Sequence, residues 1–231
     1  MNRQWLLLIA LLFAGNLFAQ NECKLFFPYE EGVAFEITHY DKKDRLSSVT
    51  YNEVDVIEET DQGLEIQMIN VLKDDKGDEV SSGTYLMYCE NGTIRTDVSS
   101  MLDPALTESV SSMEVEISGD GLLFPASLEV GAKLPDGFTE IVASSNGMRL
   151  MTLTFQVSDR KVEAKESITT PAGTFDCYRL SQQIETKVAF VKKSYRTVEW
   201  YAEGYGMVRQ EMYDKKDKLE GYSELTMFKG K

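Results

Sequence analysis

From Thr174 to Ala189 the chain runs without a proline or glycine and is rich in Thr, Phe, Tyr, Ile and Val. Residues of that kind suit a pleated, half-buried surface, so the run predicts one long strand. Pro171 and Gly173 supply the turn that precedes it. A second strand, from Tyr195, carries Trp200 into the corner Gly204-Tyr205-Gly206, and the chain returns through Met207 and Val208. This pair of long strands places an antiparallel sheet at the centre of the fold.

The rest of the chain reads in the same period. Val33 to Tyr40 alternates Phe35, Ile37 and His39 with Glu36, Thr38 and Tyr40, the pattern of a half-buried strand. Charged turns at Asp41–Asp44, Asp61–Gly63 and Asp74–Gly77 separate strands expected over Leu46–Ile57, Leu64–Leu72 and Thr84–Cys89. Asn91-Gly92 is a strong hairpin dipeptide, because both residues tolerate positive φ, and it leads into Thr93–Val98. Further strands are expected at Val115–Ile117, Leu122–Phe124, Phe138–Ala143 and Met148–Val157, the last continuing past Asp159 towards Ile168. One segment departs from β periodicity. Asp103-Pro104 is a cap followed by proline at the first helical position, and Leu102, Leu106 and Val110 recur every four residues. A short helix over 104–112, lying across an open end or face of the sheet, is the expectation.

Tyr40-Asp41-Lys42-Lys43-Asp44-Arg45-Leu46 returns almost unchanged as Tyr213-Asp214-Lys215-Lys216-Asp217-Lys218-Leu219, with a looser copy from Leu72 to Asp78. Repeated recognition loops would look like this. So would hairpin turns, since Asp bonds its own backbone, and the turn reading is preferred.

The first residues read as an address. Arg3 precedes an apolar run from Trp5 to Phe13, and Leu17-Phe18-Ala19 offers a cleavage site. The run is shorter than the ~20 residues needed to span a bilayer. The expectation is a signal peptide at 1–19, a single β-roll domain at 20–231, and no transmembrane segment after processing. No lipid-attachment box precedes Cys23. Export places the chain in the periplasm, at the cell surface or outside the cell. With 24 basic and 38 acidic residues the net charge is -14, which disfavours nucleic acid and anionic membranes as partners. The charges are interspersed, as on a solvated sheet face. In an oxidising compartment the three cysteines imply one disulfide and one free thiol. A Cys23–Cys89 bridge would pin a loose terminus, with Cys177 packed as a small hydrophobe, although sequence alone does not fix the pairing.

The chemistry-bearing residues are sparse. His39 is the single histidine, so a catalytic triad would have to use it, and it reads as an ordinary strand residue. There is no Gly-x-Ser-x-Gly elbow, no Cys-x-x-Cys and no phosphate-binding glycine loop. The acidic turn at Asp74 has Lys76 and Glu79 where a calcium loop needs an oxygen ligand and glycine. No catalytic residue, metal site or cofactor is assigned. Trp200, Tyr201 and Tyr205 are the candidate ligand-binding residues: with Phe175 and Tyr178 they either line a concave groove for an apolar, glycan or peptide ligand or fill the core. Alternation puts Trp200 and Tyr201 on opposite faces, so one should be buried and the other exposed.

These residues also carry a likeness. Thr170-Pro171-Ala172-Gly173-Thr174-Phe175-Asp176-Cys177-Tyr178, the run from Trp200 to Val208 and Tyr213–Lys216 with Gly221–Leu225 resemble the TapB-like exported proteins of the domain-of-unknown-function 3108 type. Cys23, Phe27-Pro28, Gly32 and Tyr40-Asp41 extend the match to the whole processed chain. Asp217 stands where glycine is expected, and Glu203 where proline is common. The resemblance implies an all-β protein of long antiparallel hairpins curved into a β-roll or open barrel, exported, with no established activity and no catalytic residues to carry over. The expected function is a non-enzymatic binding or interaction module with a concave β face. The alternative is a hydrolase of envelope polymers, using two carboxylates about 5–9 Å apart. An edge strand open to a partner chain is a third reading.

Overall fold

The computed structural model describes residues 26–90, 92–96, 114–125, 127–188 and 190–230. The leader expected at 1–19, Cys23 and the helix expected over 104–112 lie outside the described residues. Within them every regular element is a strand: β1 (Ala34–Asp41), β2 (Leu46–Thr60), β3 (Gly63–Asp74), β4 (Glu79–Glu90), β5 (Thr93–Thr96), β6 (Glu114–Gly121), β7 (Leu123–Pro125), β8 (Gly137–Ser145), β9 (Met148–Thr170), β10 (Gly173–Val188), β11 (Val191–Ala202), β12 (Gly206–Tyr213) and β13 (Leu219–Lys229).

All thirteen belong to one sheet, in the order β6-β8-β9-β10-β11-β12-β13-β1-β2-β3-β4-β5-β7. Two meanders, β1 to β5 and β8 to β13, are joined where β1 pairs antiparallel with β13. The outermost strands are β6 and β7, yet only Leu122 separates them in sequence. The sheet must therefore curl until its two edges adjoin, giving a nearly closed barrel. Closure removes most of the open edge that a long sheet would otherwise present.

Local chemistry explains the long strands. β9 runs unbroken from Met148 to Thr170, and its opening turn, Asn146-Gly147, has φ of 51° and 75°. Positive φ at both central residues is the type I′ geometry that matches strand twist. Asp159, at φ 54°, bulges β9 without ending it, and the pairing with β10 shifts register across Arg179/Leu180 and Ser181/Gln183. Such bulges bend a strand and help curl the sheet. Beside this bend the 131–134 segment lies along β9, with Gly131 N donating to Val162 O at 2.8 Å and Leu134 N to Arg160 O at 3.0 Å. Gly63 is required for a different reason: a Cβ there would sit 1.9 Å from the carbonyl oxygen of Cys89.

The three Asp-rich repeats adopt one turn. Asp41, Asp74 and Asp214 each accept backbone N–H bonds from the residues two and four positions on, at 2.7–3.1 Å. The fourth residue of each loop has positive φ: Asp44 at 58°, Gly77 at 87° and Asp217 at 56°. Turn chemistry accounts for the repetition.

The core is built from Phe35, Ile37, Val54, Met68, Phe124, Val162, Leu180, Val208 and Leu225, with Phe26 packed against Phe124 and Tyr178. Each fully buried Leu, Met or Val contributes on the order of 1.5–3 kcal/mol by leaving water. Cys89 is disulfide-bonded, and Cys177 is a buried free thiol.

Candidate functional site

Beside this apolar layer lies a polar one. His39 of β1, Ser223 of β13, Gln210 of β12 and Glu199 of β11 are direct cross-strand partners in successive strands. Direct partners share a face, so the four form one row. The same face carries Leu225, two residues from Ser223, and Leu180, the partner of Glu199, both fully buried. The row is thus a polar belt bordering the barrel core.

Its charged members are held by neutral partners. Glu199 is 3% exposed; Gln182 Nε2 and Gln210 Nε2 donate to its Oε1 at 2.8 Å, and Tyr201 OH donates to its Oε2 at 2.8 Å. Thr197 Oγ1 adds a bond to Oε1 at 3.2 Å. Burial, reinforced by this carboxylate, pushes the Tyr201 phenol well above its ordinary pKa. Arg160 of β9, 2% exposed, donates Nε to Gln182 Oε1 at 3.1 Å. The Gln182 amide thereby links a buried cation to a buried anion. One guanidinium nitrogen of Arg160 also donates to Leu123 O at 2.7 Å and Pro135 O at 2.8 Å. Leu123 is on β7, at the far edge of the sheet from β9, so Arg160 staples the barrel across its seam.

The groups that could do chemistry are engaged. His39 bonds Ser223 Oγ through Nδ1 at 2.8 Å and Thr50 Oγ1 through Nε2 at 2.9 Å, and burial lowers its pKa. Both partners are hydroxyls, so no carboxylate raises its basicity. Burial pushes the Cys177 thiol up to about 11, which leaves almost no thiolate at neutral pH. Among the described residues no three His, Cys, Asp or Glu side chains converge as a metal site.

The aromatic candidates do not share a surface. Trp200 is 7% exposed, and its indole N–H donates to Glu166 Oε1 at 2.7 Å. Tyr201 is half-buried, with its ring centroid 4.5 Å from that of Phe124. Four consecutive residues, Thr197 to Trp200, are buried, so both faces of β11 are covered here and simple alternation does not hold. Tyr205 is the accessible one, 38% exposed at the β11–β12 turn and wedged between Phe175 and Phe228 at 4.8 and 4.7 Å. A separate, open cleft of about 370 Å³ lies among Gln183, Tyr195, Arg196, Asp214, Lys215 and Asp217. It is a poor acid–base site: Arg196 pairs with Asp217 at 2.9 Å, and Asp214 is occupied by its own turn.

Comparison with known proteins agrees with this architecture. A family profile described as DUF3108-like matches residues 30–225. The chain belongs to that family. Two crystal structures share the fold of this DUF3108-like chain. One, described as a "putative exported protein with YmcC-like fold" from Bacteroides fragilis, has a TM-score of 0.70 at 24% identity, over 90% of this chain and 100% of that one. The other, a "putative lipoprotein" from Parabacteroides distasonis, has a TM-score of 0.69 at 29% identity with the same coverage. No functionally curated protein matches the chain. Sequence reading of the DUF3108-like chain missed Arg160 and Glu199. The one available signal was a charged pair, Asp159-Arg160, interrupting an otherwise continuous strand.

Proposed function

We propose that this DUF3108-like protein is an exported, non-enzymatic binding module of the cell envelope. Export is supported by the leader-like residues 1–19 and by the exported and lipoprotein descriptions of the two relatives. The observation that carries the non-enzymatic reading is the commitment of the reactive groups: Glu199 is enclosed by Gln182, Gln210, Thr197 and Tyr201, Arg160 is bonded to Gln182 and two backbone carbonyls, and both ring nitrogens of His39 are taken by hydroxyls. A hydrolase would need two free carboxylates facing one cavity; the open cleft does hold Asp214 and Asp217, but Asp217 is paired with Arg196 and Asp214 accepts from its own turn, and the buried Glu199 is enclosed by amides and hydroxyls. The envelope ligand, a glycan, peptide or apolar chain, rests on the aromatic Tyr205, with Trp200 and Tyr201 holding the strand beneath it.

The test is binding of purified protein to fractionated envelope glycans, peptides and lipids. Tyr205→Ala should abolish retention of the bound fraction while the protein stays folded, its melting temperature lowered by several degrees through loss of the ring contacts with Phe175 and Phe228. The double variant Trp200→Ala/Tyr201→Ala should lose stability. Full retention by a folded Tyr205→Ala protein rejects this site. Turnover of an envelope polymer that is lost on changing His39 or Glu199 rejects the non-enzymatic reading.

A further inference from the structure

We propose that the tips of the β8–β9 and β10–β11 hairpins form a foot that docks on the surface of an anionic lipid bilayer. Among the described residues, four of the six most exposed large apolar side chains lie there: Phe190 at 102%, Met148 at 66%, Val191 at 61% and Leu150 at 55%. β9 last pairs with β10 at Leu153↔Val188, so its stretch from Thr152 back to Met148 projects about 16 Å beyond β10. Register backs these residues with apolar rows, in which Val115, Met151, Val188 and Val191 are exposed, Ile117, Ile141 and Leu153 half-buried and Ala143 buried. Ile117, Ile141, Leu153, Val188 and Val191 are direct partners across five neighbouring strands, and Val115, Ala143 and Met151 form a second row above them.

Charge is segregated in the same place. The chain has 38 acidic residues, yet 141–158 and 186–198 contain none. These stretches carry Arg149, Lys187, Lys192, Lys193 and Arg196. Lys192 pairs with Glu185 and Arg196 with Asp217, while Arg149, Lys187 and Lys193 have no carboxylate within ion-pair reach among the described residues. The acids on adjoining strands, Glu114, Glu116 and Glu140, lie on the opposite face from the apolar rows, where Glu114 registers through Ser144 with Arg149, Glu116 through Val142 with Thr152, and Glu140 through Thr154 with Lys187.

A wholly exposed phenylalanine at a ribbon end, flanked by unpaired cations, fits the boundary between headgroups and acyl chains. A protein partner would instead need a surface to cover, and these residues sit where two ribbons end. The net charge of -14 on the whole chain makes the body repel an anionic surface, so approach is tip first. The acidic average that disfavours such membranes does not apply locally.

The experiment is co-sedimentation of purified protein, processed on export, with phosphatidylcholine vesicles and with phosphatidylcholine–phosphatidylglycerol vesicles at low salt. Binding should require phosphatidylglycerol. Arg149→Gln/Lys187→Gln/Lys193→Gln should weaken it on the order of a hundredfold. Phe190→Ser/Met148→Ser should abolish it, and Tyr205→Ala should leave it unchanged, which separates this surface from the envelope-ligand site. Phe190→Trp emission should shift to the blue only with the anionic vesicles. No binding to either vesicle overturns the proposal, as does equal binding to both or binding indifferent to the tip substitutions. A concentration-dependent dimer that Phe190→Ser dissolves, without vesicle binding, would assign the surface to a second copy instead.

Discussion

Replacing Arg160 with methionine tests whether the barrel is closed by a buried charge. Methionine keeps much of the stem volume, so little of the effect comes from packing. What is lost is a charged donor to Leu123 O, Pro135 O and Gln182 Oε1. The substitution also leaves Glu199, 3% exposed, without the cation to which Gln182 couples it. Breaking a buried charge arrangement from one side costs about 3–5 kcal/mol. At about 2–4 °C per kcal/mol for a chain of this size, the melting temperature should fall by about 6–20 °C. Arg179→Met is the control: its bridges to Glu163 and Glu166 join side chains about one-third exposed, worth about 0–1 kcal/mol. Urea titration of both variants gives the comparison. Hydrogen exchange then locates the damage, which should be greatest at β5, β7 and the 131–134 segment, where the seam lies. Adding Glu199→Leu to Arg160→Met should recover part of the loss, because an emptied apolar pair costs less than a lone buried charge. If Arg160→Met loses no more stability than Arg179→Met, the staple is not what holds the edges together.

Asp44→Gly and Asp217→Gly should each stabilise the fold by about 0.5 kcal/mol net in chemical denaturation, since both residues hold positive φ that glycine adopts without a Cβ penalty. Gly77→Asp, at the equivalent turn position with open space around it, should lose a similar amount. Burial depresses the folded-state pKa of His39 below 6.5, so the unfolded chain binds the proton more readily. Stability should therefore fall as pH drops below about 6.5, and His39→Gln should flatten that slope in melts across the acid range. A thiol reagent should reach Cys177 only on unfolding. A non-reduced digest should yield a Cys23–Cys89 linked peptide, the pairing we propose for the disulfide-bonded Cys89; a Cys23 recovered free would refute it.

Local features of the fold were legible where one short-range cause dominates. The strand expected over Thr174–Ala189 is β10 within one residue at each end, because nothing in it can break a ladder. The Asp-Lys-Lys-Asp repeats are turns because an aspartate folds its own backbone. Closure was not legible. The strands expected at Val115–Ile117 and Leu122–Phe124 follow one another closely in sequence, whereas β6 and β7 go to opposite ends of the sheet, and only the accumulated strand pairings reveal that. Arg160 hid for a related reason: a charge on a strand looks like any solvated residue until the opposite edge arrives to accept its hydrogen bonds. Trp200 and Tyr201 show the limit of alternation, which supposes one wet face, while β11 is covered on both. Charge follows the same logic. Along the chain the acids and bases look interspersed, because Met148–Met151 and Val188–Lys193 are far apart in sequence. The long β9–β10 pairing sets the two acid-free stretches side by side and gathers their cations around Phe190. A surface of that composition exists only in the folded molecule, so its partner has to be sought with intact protein and not with peptides from either hairpin.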